Sequence, residues 1–399
     1  MARRYLRNLS MLIALNGSAF SFLKWLNTRH APCVFLIKSP FPYLPTTLLL
    51  QSYSPHRSRF TVLILGLILG AVSVFSLTFG ALSSDLGETL RSLGHFWGLL
   101  NDPNLGALPQ VIGQIRLPRL LMGMIAGAGL AVTGAVLQAL FRNPMADPGL
   151  LGVSSGAALG AAAAIVLGLT FAPLFALFGN WLLLMMAFFG SFLSLSIVYR
   201  LARFNGRTDI ATMLLAGVAV NAITGALIGL LSYLASDTQL RDIVFWSLGS
   251  LSVNDWSKLL IALIIVLPGC TLLLFYAKAL NAHLLGESEA RHLGFDVETI
   301  KKRLILLCAL IVSVIVSMSG IIGFVGLIVP HLIRLIFGPD HRLLLPASAL
   351  SGAILLVLGD VIARTLISPA EIPIGIITAV LGGPFFMALL IRYKRRQGF

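Results

Sequence analysis

Two pairs of ionisable residues lie within or at the ends of apolar stretches. Charged side chains in such stretches are usually paired with another charge or serve a function. His331 and Arg334 lie in one stretch, and Asp360 and Arg364 lie near the end of another. At the centre of a membrane helix such a charge costs about 2.5–3.5 kcal/mol on insertion scales. Asp360 and Arg364 are four residues apart and therefore share one face of a helix. We predict that these two residues form an ion pair that stabilises the structure.

Sequence motifs for catalysis and cofactor binding are absent. The sequence contains no G-x-x-x-x-G-K-[ST] phosphate loop and no H-E-x-x-H motif. Cys33, Cys270 and Cys308 have no C-x-x-C spacing, and the scattered histidines form no cluster. We interpret the three cysteines as buried or incidental thiols. The sequence thus predicts no catalytic residue, no metal site and no cofactor bound by this chain.

The composition excludes a soluble globule. Of the 399 residues, 57% are hydrophobic and only 11% are charged, and the mean hydropathy is +0.93. Soluble domains have about 25% charged residues, so this chain lacks the polar surface to cover a globule of its size. The net charge of +14 could indicate nucleic-acid binding, but the cations lie in short loops between apolar runs, not beside aromatic residues on a polar face. The composition predicts a polytopic membrane protein that is embedded in the lipid bilayer and binds no nucleic acid.

Ten apolar runs can span a bilayer as helices, since a span needs about 20 mostly apolar residues. None alternates as a strand would, and lipid requires a backbone that satisfies its own hydrogen bonds. We therefore predict an all-α integral membrane protein. The split at Gly320–Gly323 is the least obvious, because 304–337 could pass for one long span. The predicted spans are 60–83, 120–141, 149–169, 181–199, 211–234, 259–277, 304–319, 322–337, 344–362 and 373–391.

Charge asymmetry decides between nine spans and ten. With the N-terminus inside and ten spans, 23 of the 29 Lys and Arg residues lie on the cytoplasmic side. Nine spans would export the basic C-terminal tail, against the positive-inside rule. The predicted topology therefore has ten spans and both termini in the cytoplasm. The six cations that it leaves outside are Arg91, Arg116, Arg119, Arg241, Lys258 and Arg364.

Pairs of glycines four residues apart recur within the predicted spans. Such pairs of small residues let two helices approach closely in lipid. We interpret them as packing contacts, with a moving interface as the alternative. The pairs are Gly66/Gly70, Gly123/Gly127, Gly156/Gly160 and Gly225/Gly229.

The first 59 residues differ from the rest of the chain. Arginines near the N-terminus precede a short apolar stretch, but Asn-Gly-Ser at residues 16–18 interrupts it and no A-x-A-like cleavage site follows, so a signal peptide is not predicted. We interpret residues 1–59 as a poorly ordered cytoplasmic extension or as the product of a start codon placed too early. Residues 60–396 form the predicted ten-helix domain.

Three polar segments are too distinctive to be plain connectors. The first joins Arg116-Leu-Pro-Arg119 to the internal Phe141-Arg-Asn-Pro-Met-Ala-Asp-Pro148. The second, Leu285-Gly-Glu-Ser-Glu-Ala-Arg-His-Leu-Gly294, is a candidate amphipathic helix with a glycine stop. The third segment comprises Gly326-Leu-Ile-Val-Pro-His-Leu-Ile-Arg334, Asp340-His-Arg342 and Pro369-Ala-Glu-Ile-Pro-Ile-Gly375.

Through these segments the chain, over residues 60–396, resembles the permease subunits of bacterial ABC importers for iron-siderophores, haem and cobalamin. Within that family, Phe141–Gly156 and Gln239–Leu251 look most like haem permeases. The resemblance implies the type II ABC importer permease architecture in the bacterial inner membrane. Such permeases form homodimers. Two ATPase subunits bind them inside and hydrolyse Mg-ATP, and a periplasmic substrate-binding protein docks outside.

The function expected from the resemblance is import of an iron chelate, with haem as the first choice. A ferric siderophore and, less so, cobalamin are alternatives. An ion-coupled secondary carrier is the alternative from another class, and the scarcity of intramembrane acids argues against it. A haem cargo suggests His95 or His331 as iron ligands. However, a lone His is more often a hydrogen-bonded structural residue, and Pro330-His331 occurs in the family irrespective of cargo, so we assign neither.

The resemblance assigns a docking role to three external arginines. Arg116, Arg119 and Arg364 match the arginines on the permease's outer rim that pair with glutamates of the binding protein. The planar guanidinium group suits this role because it binds carboxylates through two hydrogen bonds. The alternative is that these arginines only anchor helix ends in lipid headgroups.

Two further sets of residues match positions on the cytoplasmic side. Asn143, Met145, Asp209 and Ile210 match the gate, although Asp209-Ile210 departs from the small hydroxyl pair of the cobalamin importer. The second set lies in a loop at about residues 278–303 and matches the segment that couples the permease to the ATPase, with a solvated loop as the alternative. The predicted coupling residues are Leu285, Gly286, Glu287, Glu289, Ala290, Arg291, Leu293 and Gly294.

Overall fold

A computed structural model describes residues 55–80, 84–168, 178–179, 181–252, 255–367 and 370–396. Of the predicted extension, only residues 55–59 lie within these ranges, and they begin the first helix. Cys33 lies outside them. The helices labelled in this article are α1 (Pro55–Thr78), α2 (Leu86–Phe96), α3 (Leu117–Leu140), α4 (Val153–Leu167), α5 (Trp181–Leu201), α6 (Ile210–Leu234), α7 (Asp237–Leu248), α8 (Trp256–Phe275), α9 (Ala277–Leu285), α10 (Glu287–His292), α11 (Val297–Ser319), α12 (Val325–Phe337), α13 (His341–Thr365) and α14 (Ile374–Arg396).

A few shorter elements complete the described structure. A helical turn (Leu108–Gln110) and a π-helix (Val111–Arg116) lead into α3. Turns of 3₁₀-helix occur at Pro103–Leu105 and Pro148–Leu151. Two short strands, β1 (Arg203–Phe204) and β2 (Arg207–Thr208), pair antiparallel between α5 and α6.

The apolar helices coincide with the ten predicted spans and confirm the predicted fold class. Seven of the described helical segments are long and apolar enough to cross a membrane. These seven include α1, α5, α6, α8, α11 and α13, together with the continuous segment Leu108–Leu140 that contains α3. The other three predicted spans correspond to the shorter apolar helices α4, α12 and the first part of α14.

The predicted split between the seventh and eighth spans is also confirmed. α11 ends at Ser319 and α12 begins at Val325. Gly320 has a positive φ of 68°, and a Cβ at this position would lie 2.2 Å from the carbonyl oxygen of Trp246. Only glycine therefore fits there. The Ser250 amide donates to the Ser319 carbonyl oxygen across 2.7 Å, so the break packs against the end of α7.

α3 lies at the centre of the protein and is buried over most of its length. It packs against α8, α11, α12 and α13. Two glycines permit this close packing: a Cβ on Gly127 would lie 2.2 Å from the carbonyl oxygen of Gly352 in α13, and one on Gly134 would lie 1.9 Å from that of Gly326 in α12. Here helix backbones touch directly, as expected of small residues at helix interfaces in lipid.

The glycine pairs separate into two groups. Gly156 and Gly160 of α4 face the backbone of α5, where a Cβ would lie 2.4 Å and 2.0 Å from carbonyl oxygens. The packing interpretation therefore holds for the pairs in α3 and α4. By contrast, no atom lies within 4 Å of the Cβ positions of Gly66 and Gly70 in α1 or of Gly225 and Gly229 in α6. Those two pairs make no close contact within the described chain.

Two helices outside the apolar spans, α2 and α7, are absent from the sequence-based prediction. Each begins with a capping box, formed by Asp85 with Glu88 and by Ser236 with Gln239. In this motif the cap side chain and the third helical residue satisfy each other's free backbone amides. The signal was present in the sequence, but neither helix is apolar enough to be found in a search for spans.

Candidate functional site

A buried ion pair between Arg119 and Asp360 lies at the predicted external end of α3 and α13. Arg119 Nε donates a hydrogen bond to Asp360 Oδ1 across 2.8 Å. Arg119 Nη1 also donates to both carboxylate oxygens of Glu371, across 2.8 and 2.9 Å. The side chains of Arg119 and Asp360 are 8% and 4% exposed, whereas that of Glu371 is 48% exposed. Glu371 is therefore the member of this cluster that faces outward.

The other two predicted docking arginines lie at the same end of the protein. Arg364 Nε lies 3.7 Å from Asp360 Oδ2, which confirms the predicted ion pair. Arg364 Nη2 also donates to the carbonyl and hydroxyl oxygens of Ser76 at the end of α1. Arg116 Nη1 donates to the carbonyl oxygen of Leu77, the next residue of α1, across 2.6 Å. Arg119 and Arg364 thus form one charge cluster around Asp360, and Arg364 and Arg116 both bind the end of α1.

All three arginine side chains are buried, and the hydrogen bonds described above are made within the protein. A binding partner that approaches this end therefore meets the half-exposed Glu371 before it meets Arg119. Sequence reasoning missed Glu371, although its segment 369–375 was among those singled out.

The predicted coupling residues lie where one short helix, α9, ends and another, α10, begins. α9 ends at Leu285, and α10 runs from Glu287 to His292. Gly286, which lies between them with a φ of 144°, interrupts the helix. Gly294, with a φ of 89°, follows α10, as expected of a glycine stop. The single helix predicted over 285–294 is therefore too long at its N-terminal end. Ala290 is buried in a small apolar cluster with Ala282 and Val297, which fixes α10 against its neighbours.

A chain of charges holds α10 to the start of α11. The ammonium group of Lys301, which is almost fully buried, lies 2.6 Å from Glu287 Oε1 and 3.3 Å from Glu298 Oε1. Arg291 lies 3.9 Å from Glu287 on the other side. Partial burial alone would raise the pKa of Glu287, but the hydrogen bond and charge of Lys301 hold that pKa below its ordinary value. The Glu287 carboxylate is thus ionised and paired at neutral pH.

Both predicted gate segments are hydrogen-bonded to the region around the coupling helices. Asn143 and Met145 lie just after α3, where Asn143 Oδ1 accepts from the Met145 amide across 2.9 Å. The adjacent Arg142 donates to the carbonyl oxygen of His283 in α9 across 2.7 Å. Asp209 caps α6 by accepting from the Thr212 amide, and Ile210 is the first residue of that helix.

Asp209 is connected to the coupling region through Thr208, the residue that precedes it. The Thr208 amide donates to Glu298 Oε2 across 3.0 Å. Glu298 in turn contacts Lys301, which pairs with Glu287. Contacts from Thr208 through Glu298 and Lys301 to Glu287 thereby connect the start of the predicted gate segment to the predicted coupling residues. Glu298 and Lys301 lie in the predicted coupling loop, but sequence reasoning did not name them among the coupling residues.

Within the described residues, the histidines and cysteines considered as possible ligands are buried or contact other residues of the protein. His95 Nδ1 accepts from the Asp102 amide across 3.1 Å, and the His331 ring stands edge-on to Phe385 with centroids 6.1 Å apart. Cys270 and Cys308 are buried free thiols. In the part of the chain that the structure describes, no three His, Cys, Asp or Glu residues lie together as metal ligands would.

Over the residues that the structure describes, ten apolar helices make this a multi-pass membrane protein. A cluster of charged side chains lies at one end of the helices, and the short helices α9 and α10 lie at the other. The chain belongs to the FecCD transport family, whose sequence profile matches residues 67–392. It is an ABC importer permease of that family.

Known relatives agree with this assignment. The chain is 44% identical to the hemin transport system permease protein HmuU of Yersinia pestis, over 83% of this chain and 97% of that one. It is 38% identical to the vitamin B12 import system permease protein BtuC of Klebsiella pneumoniae, over 88% of this chain and 100% of that one. Among solved structures, an inward-facing ABC transporter assigned to the metal-chelate type matches with a TM-score of 0.70 and 35% identity, over 84% of this chain and 99% of that one.

Proposed function

We propose that this chain is the homodimeric permease of an inner-membrane importer that carries an iron chelate, with haem as the first candidate, into the cytoplasm. The observation that carries the cargo assignment is 44% identity to a hemin permease over 97% of that protein's length. Two ATPase subunits would bind at the predicted cytoplasmic end and hydrolyse Mg-ATP. A periplasmic binding protein would deliver the cargo at the other end. The permease itself supplies the path, the gate and the contact surfaces.

Cobalamin is the second candidate cargo, and a specific observation favours it. The cobalamin import system permease protein BtuC of Halobacterium salinarum is 46% identical, over 70% of this chain and 73% of that one. Against it, the Asp209-Ile210 pair at the predicted gate differs from the small hydroxyl pair of the cobalamin importer.

Uptake by proteoliposomes that contain the permease with its ATPase and binding protein tests the cargo directly. We expect ATP-dependent accumulation of haem, and little of a ferric siderophore or of cobalamin. Accumulation of cobalamin and not haem would reverse the order of the two candidates. Uptake by the permease alone, driven by a proton gradient, would contradict the importer assignment as a whole.

The charge cluster at the predicted external end supports a docking role for Arg119. In this role Glu371 competes with the binding protein, because it already pairs with the Arg119 guanidinium. A carboxylate of the binding protein that pairs with Arg119 must approach Glu371, which carries the same charge and occupies the outer side of the guanidinium. Like charges that face each other across an interface disfavour association, and charges at the rim mainly change the rate of association. Glu371 therefore tunes how readily the binding protein docks.

We expect Glu371→Gln to raise the association rate constant of the binding protein, by roughly threefold or more at low ionic strength. Surface-immobilised permease in nanodiscs, titrated with the binding protein, provides the measurement. Asp237→Asn is the matched control because it removes one exposed acid at the same predicted end, outside the cluster. A gain in rate cannot result from misfolding. Equal rates for Glu371→Gln, Asp237→Asn and the parent would contradict the proposed effect of Glu371 on docking.

A further inference from the structure

The β-hairpin between α5 and α6 has a defined shape at the predicted cytoplasmic end. Its strands pair with Arg203 opposite Thr208 and Phe204 opposite Arg207. Asn205 and Gly206 form the two-residue loop, with φ angles of 49° and 77°. Positive φ at both central residues is typical of a type I′ turn, for which Asn-Gly is a preferred sequence. This segment is therefore a structured projection and not a loose connector.

The hairpin exposes a large aromatic side chain. Phe204 is 77% exposed, and its neighbours Arg203, Asn205 and Arg207 are also exposed. An aromatic residue flanked by arginines is the composition found at the centres of protein–protein interfaces, where aromatic residues and Arg are enriched. The exposure of Phe204 does not by itself indicate which kind of molecule binds there. The chemistry of the residues around Phe204 indicates it.

Phe204 lines an open cleft of about 700 Å³ between the hairpin and the coupling helix α10. The other wall of the cleft carries charged side chains of both signs. Lipid chains cannot fill such a cleft, because charges of either sign are costly to bury in hydrocarbon. A protein segment with polar and apolar groups can fill it. The charged residues that line the cleft are Arg207, Asp209, Glu287, Arg291, Glu298 and Lys301.

The two walls of the cleft are connected to each other. The Thr208 amide of the hairpin donates to Glu298, and Lys301 bridges Glu298 to Glu287 of α10. The hairpin also leads directly into Asp209, whose amide donates to the Ala202 carbonyl oxygen across 3.0 Å. A partner that binds α10 would therefore also lie next to the hairpin. The hairpin in turn leads directly into the start of α6.

We propose that the hairpin is a second contact surface for the ATPase subunit, which would fill the cleft beside α10 and pack against Phe204. This inference rests on the proposed function, because the occupant is the ATPase of the importer. It extends the predicted coupling surface from α10 to the hairpin. Since the next residues are the predicted gate residues Asp209 and Ile210, ATPase movement would reach α6 by a route through the hairpin as well as through α10.

The test measures the affinity of the purified ATPase subunit for the full-length permease in nanodiscs. We expect Phe204→Ala to weaken binding about tenfold, in the range of aromatic interface residues, and Phe204→Leu to weaken it less. Phe60→Ala is the matched control, because Phe60 is 63% exposed at the same predicted end on α1. We expect it to bind like the parent.

The outcomes separate the inference from the proposed function. If Phe204→Ala binds the ATPase like the parent while Glu287→Gln with Arg291→Gln binds weakly, the hairpin is no part of the surface and the importer assignment stands. If the parent itself binds no ATPase, the proposed function fails. Cross-linking from Phe204→Cys, in a variant in which Cys33, Cys270 and Cys308 are replaced by Ser, should capture the ATPase. Capture of a second permease copy instead would overturn the inference.

Discussion

Asp360→Asn is expected to remove about 3–5 kcal/mol from the free energy of unfolding of the permease, the usual cost of breaking a buried ion pair. Asn keeps the shape of Asp but leaves the buried guanidinium groups of Arg119 and Arg364 without the carboxylate that lies between them. Glu371 compensates only in part, because it is half exposed and contacts Arg119 alone among these arginines. Denaturant titration of the purified protein in one detergent gives the value.

Two comparisons show whether the loss comes from the charge cluster. Asp237→Asn removes an exposed acid and should change stability by less than about 0.5 kcal/mol, as most surface substitutions do. Asp360→Asn combined with Arg119→Gln should cost less than the sum of the two single changes, because residues of one ion-pair network are not independent. Strict additivity would mean that Arg119 and Asp360 do not stabilise each other.

Gly134→Ala is expected to destabilise the protein by about 1–3 kcal/mol or more, as overpacking of a tight core does. The added methyl group would lie 1.9 Å from the carbonyl oxygen and 2.5 Å from the carbonyl carbon of Gly326. These atoms belong to a helix backbone and cannot rotate away as a side-chain end could. α3 and α12 must therefore move apart. The change should appear in the same denaturant titration.

Gly66→Ala is the matched control for this effect. It is also a helix glycine in an apolar span, but no atom lies within 4 Å of its Cβ position. Alanine forms helices better than glycine by about 1 kcal/mol, so this variant should be as stable as the parent or slightly more stable. A large loss at Gly66 would reveal a contact with a molecule outside this chain, and no loss at Gly134 would contradict the close packing of α3 against α12.

The parts of the fold that were predicted are those that local sequence encodes. Each apolar span carries its own signal, and the ion pair of Asp360 with Arg364 follows from a spacing of four residues on one helix. The hairpin was missed because it is only two residues per strand, although Asn205-Gly206 is a strong turn signal. The extra break at Gly286 was missed because a single glycine within a short polar segment fits either one helix or two.

The charge cluster shows why the site was harder to predict than the fold. Arg119 was assigned to the outer rim, but its buried partner, Asp360, is 241 residues away in the sequence. No spacing rule connects residues so far apart, and only the packing of α3 against α13 brings them together. The same holds for Thr208 and Glu298, whose contact joins the gate and coupling segments across 90 residues.

That separation has a consequence for biosynthesis. At synthesis rates of about 5–20 residues per second, some 10 to 50 seconds pass between the emergence of Arg119 and that of Asp360. During this interval α3 can already be in the membrane with an arginine that has no carboxylate partner from α13. Because Arg119 lies in the first turn of α3, its long side chain can extend to the lipid headgroups until that partner arrives. Its place at the helix end thus allows early insertion, and closure of the ion pair marks the arrival of α13 beside α3.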